Sequence, residues 1–451
     1  MSKNKIVILV LLLALVVVGI LTGVVFSRIH YQNTHVFVGE DAYPKDAAYL
    51  DLRGEKIALS DYLQLRQALP DCRIDWDVPF QGRFLSQDTE VLTVTSLSYA
   101  DQGMLVYFPK LTTLDMTGAD AQTAFAVAQA LPQYTVIYNV ILCGERYPWD
   151  TREITLVGAS DADIAALKLL PQLEKVRLEH PDADPESVLA LEEQVELSCL
   201  VEVHGITVET GDTQVDFSNI ALSGTEDIAK ALSYISTLET VEMHNCGIDN
   251  ETMAAFREEH RAQYKVVWTV QCGGITIRTD AVDFMPYREG EAYFNDEDAY
   301  NLRYLEDMIC MDLGHMPVKN IEFVKFMPHL KYLILAHTTV LDISPISSCK
   351  ELVFLELDWT GIKDYTPLLG CTALEDLNLG KTYGDPEPIL QMTWLEHLWW
   401  VGRGYKVRVQ VEEALVNTVT NFTASYTVGG GWRELPNYYA MRDLLGMDYM
   451  K

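Results

Sequence analysis

"LEDLNLGKT", Leu374 to Thr382, decides how this chain is read. Its tail, Gly-Lys-Thr, is the end of a phosphate-binding loop, while its head is the start of a leucine-rich coil. A phosphate loop needs G-x-x-x-x-G-K-[ST], because its glycines let backbone N–H groups approach the phosphates. With Gly380 as the second glycine, the place of the first falls on Glu375, whose carboxylate repels phosphate. The nucleotide reading fails, and Gly380-Lys381-Thr382 becomes the turn after a repeat strand.

Outward from this stretch, Leu330, Leu352, Leu374 and Leu395 stand 22, 22 and 21 residues apart and head "LKYLIL", "LVFLEL", "LEDLNL" and "LEHLWW". "MICMDL" at Met308 is a fifth coil with Met in the Leu places, and Thr338, Thr360 and Thr382 recur three residues past the pattern. Coils in one register stack each leucine on its equivalent about 4.7–4.9 Å away and build one continuous core. "TTVLDISPISSCKELVFLELDWTGIKDYTPLLGCTALEDLNL" resembles the 22-residue repeats of internalin-like bacterial surface proteins, a likeness covering 308–401. The array is short, and no LPxTG sorting signal is present. The resemblance implies an α/β leucine-rich repeat solenoid, right-handed, with a parallel β-sheet on its concave face and a role in binding.

A second, longer repeat precedes it. "WDVPFQG" (Trp76–Gly82), "YNVILCG" (Tyr138–Gly144), "CLVEVHG" (Cys199–Gly205) and "WTVQCGG" (Trp268–Gly274) all read large-x-Val-x-x-x-Gly, with starts 62 and 61 residues apart and then a longer third step. Their period of two with a closing Gly predicts a strand ending in a turn. Each unit opens on a short strand ("YLDL", "TLDM", "KVRL", "TVEM") and has another after the glycine ("VLTV", "ITLV", "VDFS", "VDFM"). Helices are predicted from Ser60, Asp120, Asp161 and Thr225, each a residue able to cap, and three of them stop at Leu-Pro. Each unit therefore makes two solenoid turns. These units and "GWRELPNYYAMRDLLGMDYM" look like exported leucine-rich-repeat proteins of gut-type Gram-positive bacteria.

Ile6 to Phe26 is an uncharged run that reaches roughly 31 Å as a helix, enough for a bilayer core of about 30 Å. Lys3 and Lys5 precede it and Arg28 follows, so the positive-inside rule predicts a single-pass cell-membrane protein with a cytoplasmic N-terminus and an extracellular bulk. A secreted protein with a cleaved signal is the alternative, but such apolar regions are about 7–15 residues and end in a small-x-small site. The domains expected are a stub and transmembrane anchor (1–28), a linker (29–45), the long double-turn repeats (46–290), the 22-residue repeats (291–404) and a C-terminal cap (405–451). Strand and helix for the cap are read in "YKVRVQV", "ASYTV" and "NYYAMRDLLGM", with Trp432 in its core.

With 34 Lys plus Arg against 65 Asp plus Glu, the net charge of −31 repels nucleic acid. The 10 His fall in no HExxH or Cys-His zinc spacing, and Asp161, Asp163, Asp182 and Asp184 lack the glycine and distal Glu of a calcium loop. They read as helix starts, as does Asn295 in "NDEDAYN". No catalytic, cofactor or metal site is expected. Of the 8 Cys, Cys349 and Cys371 occupy equivalent places about one strand spacing apart and are read as reduced, buried thiols, with a disulfide between them as the alternative.

In L-x-x-L-x-L the fourth and sixth residues face the core, so alternation puts the third, fifth and seventh on the concave face. This gives Tyr332, Ile334 and Ala336; Phe354, Glu356 and Asp358; Asp376, Asn378 and Gly380; His397, Trp399 and Val401. Aromatic at both ends and acidic in the middle, the face is a candidate site for a protein or glycan ligand through Tyr332, Ile334, Phe354, Glu356, Asp376, Asn378, His397 and Trp399. An envelope scaffold or sensor ectodomain is the alternative role. An extracellular hydrolase would need a site outside the repeats.

Overall fold

A computed structural model describes residues 3–290 and 293–447. The first two residues of the stub, the first two of the 291–404 array and the last four of the cap lie outside the described residues. The chain divides into two compact units, 1–198 and 199–451.

In the first unit, one helix runs Lys3–Thr34, and its apolar residues from Ile8 to Phe26 are exposed on every side. Ile8–Thr34 is long and apolar enough to cross a membrane. Beyond it, the expected short strands form. Val91–Thr93, Thr113–Asp115 and Thr135–Ile137 pair in parallel, so that Leu92, Leu114 and Val136 stack in one buried column. The interval from Leu92 to Leu114 to Val136 is the one that separates Leu330, Leu352 and Leu374. The long repeat is therefore the same coil length taken twice, with a hairpin added.

That hairpin explains the closing glycine. Phe80 pairs with Arg83 and Leu142 with Glu145, leaving two-residue loops, Gln81-Gly82 and Cys143-Gly144. Both residues of each loop have positive φ (45° and 74°; 48° and 81°), the geometry of a type I′ turn, which suits the right-handed twist of the flanking strands. Glycine takes it freely, and the second place is glycine each time.

Helix starts differ in detail from the expectation. Asp120 caps Ala121–Ala130 by accepting from Thr123 N, as its side chain allows. Ser160, one residue before the expected Asp161, caps the next helix and forms a capping box with Asp163. Ser60 lies inside Leu59–Ala68, and Thr225 makes no side-chain cap. Asn295 does cap its helix, closing a box with Asp298.

The second unit opens on a hairpin in which residues 200–203 pair with Ile206–Glu209, turning at His204-Gly205. Gln214–Asp216, Thr240–Glu242 and Lys265–Val267 then pair in parallel. A seven-stranded parallel ladder follows: Asp283–Phe284, Cys310–Asp312, Tyr332–Ile334, Phe354–Glu356, Asp376–Asn378, His397–Trp399 and Val419–Asn421. Met311, Leu333, Leu355, Leu377 and Leu398 align across it and are fully buried. Its first strand comes from "VDFM", the end of the last long repeat.

Between successive strands from Cys310–Asp312 to Asp376–Asn378 lies a 3-10 turn, Glu322–Phe326, Ser344–Ser348 and Thr366–Gly370, again at the spacing of the coils. Each is started by a side chain that accepts a backbone N–H two residues on: Asn320 from Glu322, Asp342 from Ser344 and Asp364 from Thr366. The Ser344 N–H and hydroxyl hold the Asp342 carboxyl below the usual range, and the Thr366 hydroxyl and N–H do the same for Asp364. The turns end near Cys349 and Cys371, whose buried thiols donate back one coil, to the carbonyls of Val324 (3.8 Å) and Ile346 (3.4 Å). Burial pushes the Cys371 thiol up to about 12.

The cap holds both helix and strand. Tyr405–Ala414, containing "YKVRVQV", is an α-helix, because it fills the helical side of a coil whose strands His397–Trp399 and Val419–Asn421 are paired 22 residues apart. Coil length overrides the period of two. "ASYTV" is not a strand either; the strand is Val419–Asn421, and the chain beyond it leaves the ladder altogether.

Candidate functional site

The pleat sends the leucine column to one face of the ladder and both flanking columns to the other. One flanking column is Cys310, Tyr332, Phe354, Asp376 and His397; the other is Asp312, Ile334, Glu356, Asn378 and Trp399. All eight sequence-predicted site residues thus stand together on one face, but that face is not open. Ile334, Phe354, Glu356, Asp376, Asn378 and Trp399 are buried, and only Tyr332 and His397 keep partial exposure.

The cover is the chain's own end, residues 422–447. Trp432, Leu435, Tyr438, Met441 and Leu445 pack on Cys310, Ile334, Ala336, Phe354 and Trp399. The ring of Trp432 lies 5.0 Å from that of Phe354 and 5.5 Å from that of Trp399. The segment acts as a strap along the sheet face, where an end cap was expected. Burying these rings supplies the driving force, and the polar groups trapped beneath find partners. Trp432 Nε1 donates to Glu356 Oε1, Trp399 Nε1 to Gly429 O (2.8 Å) and Asn378 Nδ2 to Thr427 O (3.1 Å). Asn437 Nδ2 donates to Asp376 Oδ2 (3.1 Å), whose other oxygen meets His397 Nδ1 at 2.7 Å.

Where the strap ends its coverage a cavity of about 410 Å³ remains, bordered by Asp312, His315, Ile334, Ala336, His337, Glu356 and Asp358 from the coils, Tyr287 from the first strand's exit, and Thr427 and Arg433 from the strap. Glu356 is 4% exposed and Asp358 1%. Burial raises both carboxyls, Glu356 to about 8, with Asp358 and Asp312 raising it further and the Trp432 N–H and Arg433 opposing. Burial raises Asp312 as well. Asp358 Oδ2 accepts from Thr427 Oγ1 at 2.6 Å, while its Oδ1 is buried with no hydrogen-bond partner among the described residues. A buried acceptor without a donor costs free energy, and a donor from water or from a bound group offsets that cost.

A second feature escaped the sequence reading. His315, His337, Trp359 and Lys381 occupy one place in successive coils, each with φ between 56° and 66°. Each donates its N–H to the next coil: His315 to Ala336 O, His337 to Asp358 O, Trp359 to Gly380 O and Lys381 to Val401 O. The left-handed backbone turns their side chains into a stack, with His315 on His337 (4.5 Å), His337 on Trp359 (5.7 Å) and Lys381 Nζ over the Trp359 ring (5.9 Å). Trp359 is 53% exposed. The 22-residue spacing of these four was visible, but four unlike side chains give no column by type. Burial lowers His337, so its Nε2, 3.8 Å from Asp358 Oδ2, brings little positive charge at neutral pH. Among the described residues no cluster of His, Cys, Asp and Glu is arranged to hold a metal ion.

No protein-family model matches the chain, and no curated protein matches it. Among solved structures, internalin F of Listeria monocytogenes is similar at 15% identity over 80% of this chain and 88% of that one (TM-score 0.25). A leucine-rich-repeat protein of Leptospira interrogans is similar at 13% identity over 73% and 93% (TM-score 0.25), and internalin C2 of L. monocytogenes at 18% over 32% and 77% (TM-score 0.23).

Proposed function

We propose that this chain is a membrane-anchored, non-catalytic surface protein that binds a protein or glycan ligand at the cavity between its 22-residue coils and its C-terminal strap. Residues 6–26 are the anchor, with the N-terminus cytoplasmic and the bulk extracellular. The coils wind as a right-handed leucine-rich repeat solenoid with the ladder on the concave face. The observation that carries the reading is the coverage itself: the strap fills most of the face and leaves a cavity of mixed apolar and acidic lining with a buried carboxylate oxygen unpartnered. The eight face residues then act mainly in holding the strap, and Ile334 and Glu356 reach the ligand.

Full-length protein in detergent, immobilised and offered cell-wall polysaccharide and surface glycoproteins, tests this. Capture is expected for the wild type and lost for Ala336→Phe, which fills the cavity; equal capture by both contradicts it. Protease added to intact cells is expected to remove the repeats and leave the anchor in the membrane fraction. Release of an intact repeat region with a new N-terminus near residue 27 contradicts the anchor.

A further inference from the structure

The cavity's chemistry narrows what can enter it. Asp312 and Glu356 stand on strands two apart in the ladder, a backbone separation of roughly 9.5 Å, with Ile334 between them. Asp358 follows Glu356 by two residues, so three carboxylates converge from two coils on one space. Asp312 Oδ1 is already engaged by Gly314 N (2.8 Å), Glu356 Oε1 by Trp432 Nε1 and Asp358 Oδ2 by Thr427 Oγ1. One oxygen of each acid is thereby fixed, and the buried Asp358 Oδ1 is left with no donor among the described residues. Against them the cavity offers two histidines and Arg433, which is exposed and sits on the strap. Buried carboxylates cost free energy unless a donor or a positive charge meets them.

We infer that this cavity receives an alkylammonium group, the head of a lysine side chain or of a free amine, with Asp358 Oδ1 as its innermost acceptor and Asp312 and Glu356 flanking it. The inference rests on the cavity being the ligand site proposed above. An ammonium brings three donors to three carboxylates, each with one oxygen already held. Its methylene stem lies against Ile334 and Tyr287, as long cationic side chains lay their stems on apolar surface. Arg433 is the competing cation of the chain itself, held at the rim. Entry of the ammonium favours the charged form of Glu356, so a proton leaves to solvent as the ligand binds near neutral pH.

Calorimetry on the full-length protein in detergent tests the proposal with three probes: Nα-acetyl-lysine methylamide, its uncharged analogue Nα-acetyl-norleucine methylamide, whose side chain ends one heavy atom earlier in a methyl group, and cadaverine. Saturable binding is expected for the lysine amide and not for the norleucine amide. Asp358→Asn is expected to weaken it at least about tenfold, and Arg433→Ala to tighten it a few fold, a gain that misfolding cannot produce. Preference for the lysine amide over cadaverine identifies a peptide source, and the reverse a free amine; either supports the ammonium site. Equal binding of the norleucine amide, unchanged affinity in Asp358→Asn, or no saturation by either amine to about 10 mM overturns it. If both amines fail while macromolecular capture is still lost in Ala336→Phe, the cation assignment falls and the binding reading stands. If the amines bind while Ala336→Phe captures normally, the site is real and its role in capture is not.

Discussion

The strands at 91–137 and those at 310–399 share one pattern, a buried aliphatic column flanked by two others, yet the flanks have opposite fates. At 91–137 the flanking side chains look outward: Val91 and Thr93 are exposed, and Thr113, Asp115 and Ile137 are half-buried. At 310–399 most equivalent positions are buried, Phe354, Glu356, Asp376, Asn378 and Trp399 among them, while Asp312, Tyr332 and His397 keep partial exposure. Strand geometry and coil length do not distinguish the regions, since the step from Leu92 to Leu114 equals that from Leu355 to Leu377. The strap does. A repeat fixes which side chains share a face, and a segment elsewhere in the chain decides whether that face meets solvent.

The comparison breaks most visibly at Trp432. Trp432→Ala is expected to cost about 3–5 kcal/mol by loss of a fully buried ring, with Glu356 losing its indole donor. Denaturant titration of the full-length protein would read this as an early transition confined to the strap and the ladder. Leu377→Ala in the middle of the ladder is expected to cost about 2–5 kcal/mol, whereas Val91→Ala on the exposed flank stays within about 0.5 kcal/mol. Equal losses at the two sites would erase the contrast.

On the covered face burial raises carboxyls instead of lowering them. Glu356 has its folded-state pKa raised from 4.5 to about 8, so the folded state holds a proton that the unfolded state releases. Its contribution to stability is complete below about pH 4.5, falls through the neutral range and is gone above about pH 8. Strap opening, followed by fluorescence of the strap tryptophan, is expected to become easier across that window, and Glu356→Gln to remove its share of the slope. A smaller effect separates the turns. Thr360 Oγ1 donates to Leu357 O at 2.6 Å, and Thr338 and Thr382 do the same to Leu335 and Leu379. Thr360→Val is expected to cost about 1 kcal/mol in thermal unfolding, by leaving that buried carbonyl without the hydroxyl.

Much of this architecture was legible because its causes are local. Leucines at a 22-residue period stack only one way, and the glycine closing each long-repeat motif marks a loop that needs positive φ, as at Gly82 and Gly144. The lysine and threonine of "LEDLNLGKT" are a turn: Lys381 has φ of 58°, and Thr382 bonds back to Leu379. The site was legible only in part. Alternation placed eight residues on one face correctly, but their cover comes from far along the chain, Trp432 reaching Glu356 and Arg288 Nη1 reaching Leu445 O at 2.8 Å. Nothing in the pattern around Glu356 announces a partner 76 residues on. Which cap segment is helix and which is strand was not legible for the same reason, since the coil that makes "YKVRVQV" a helix is not local.

Hydroxyl-radical footprinting of the full-length protein, read by mass spectrometry at three tryptophans, tests the covered face most directly. Trp359, 53% exposed on the outer stack, is expected to be oxidised rapidly, while Trp399 at 4% and Trp432 at 0% are expected to stay protected until the protein is unfolded. Oxidation of Trp399 and Trp432 at the rate of Trp359 in the native protein would show that the strap does not lie on the sheet, and would contradict the account.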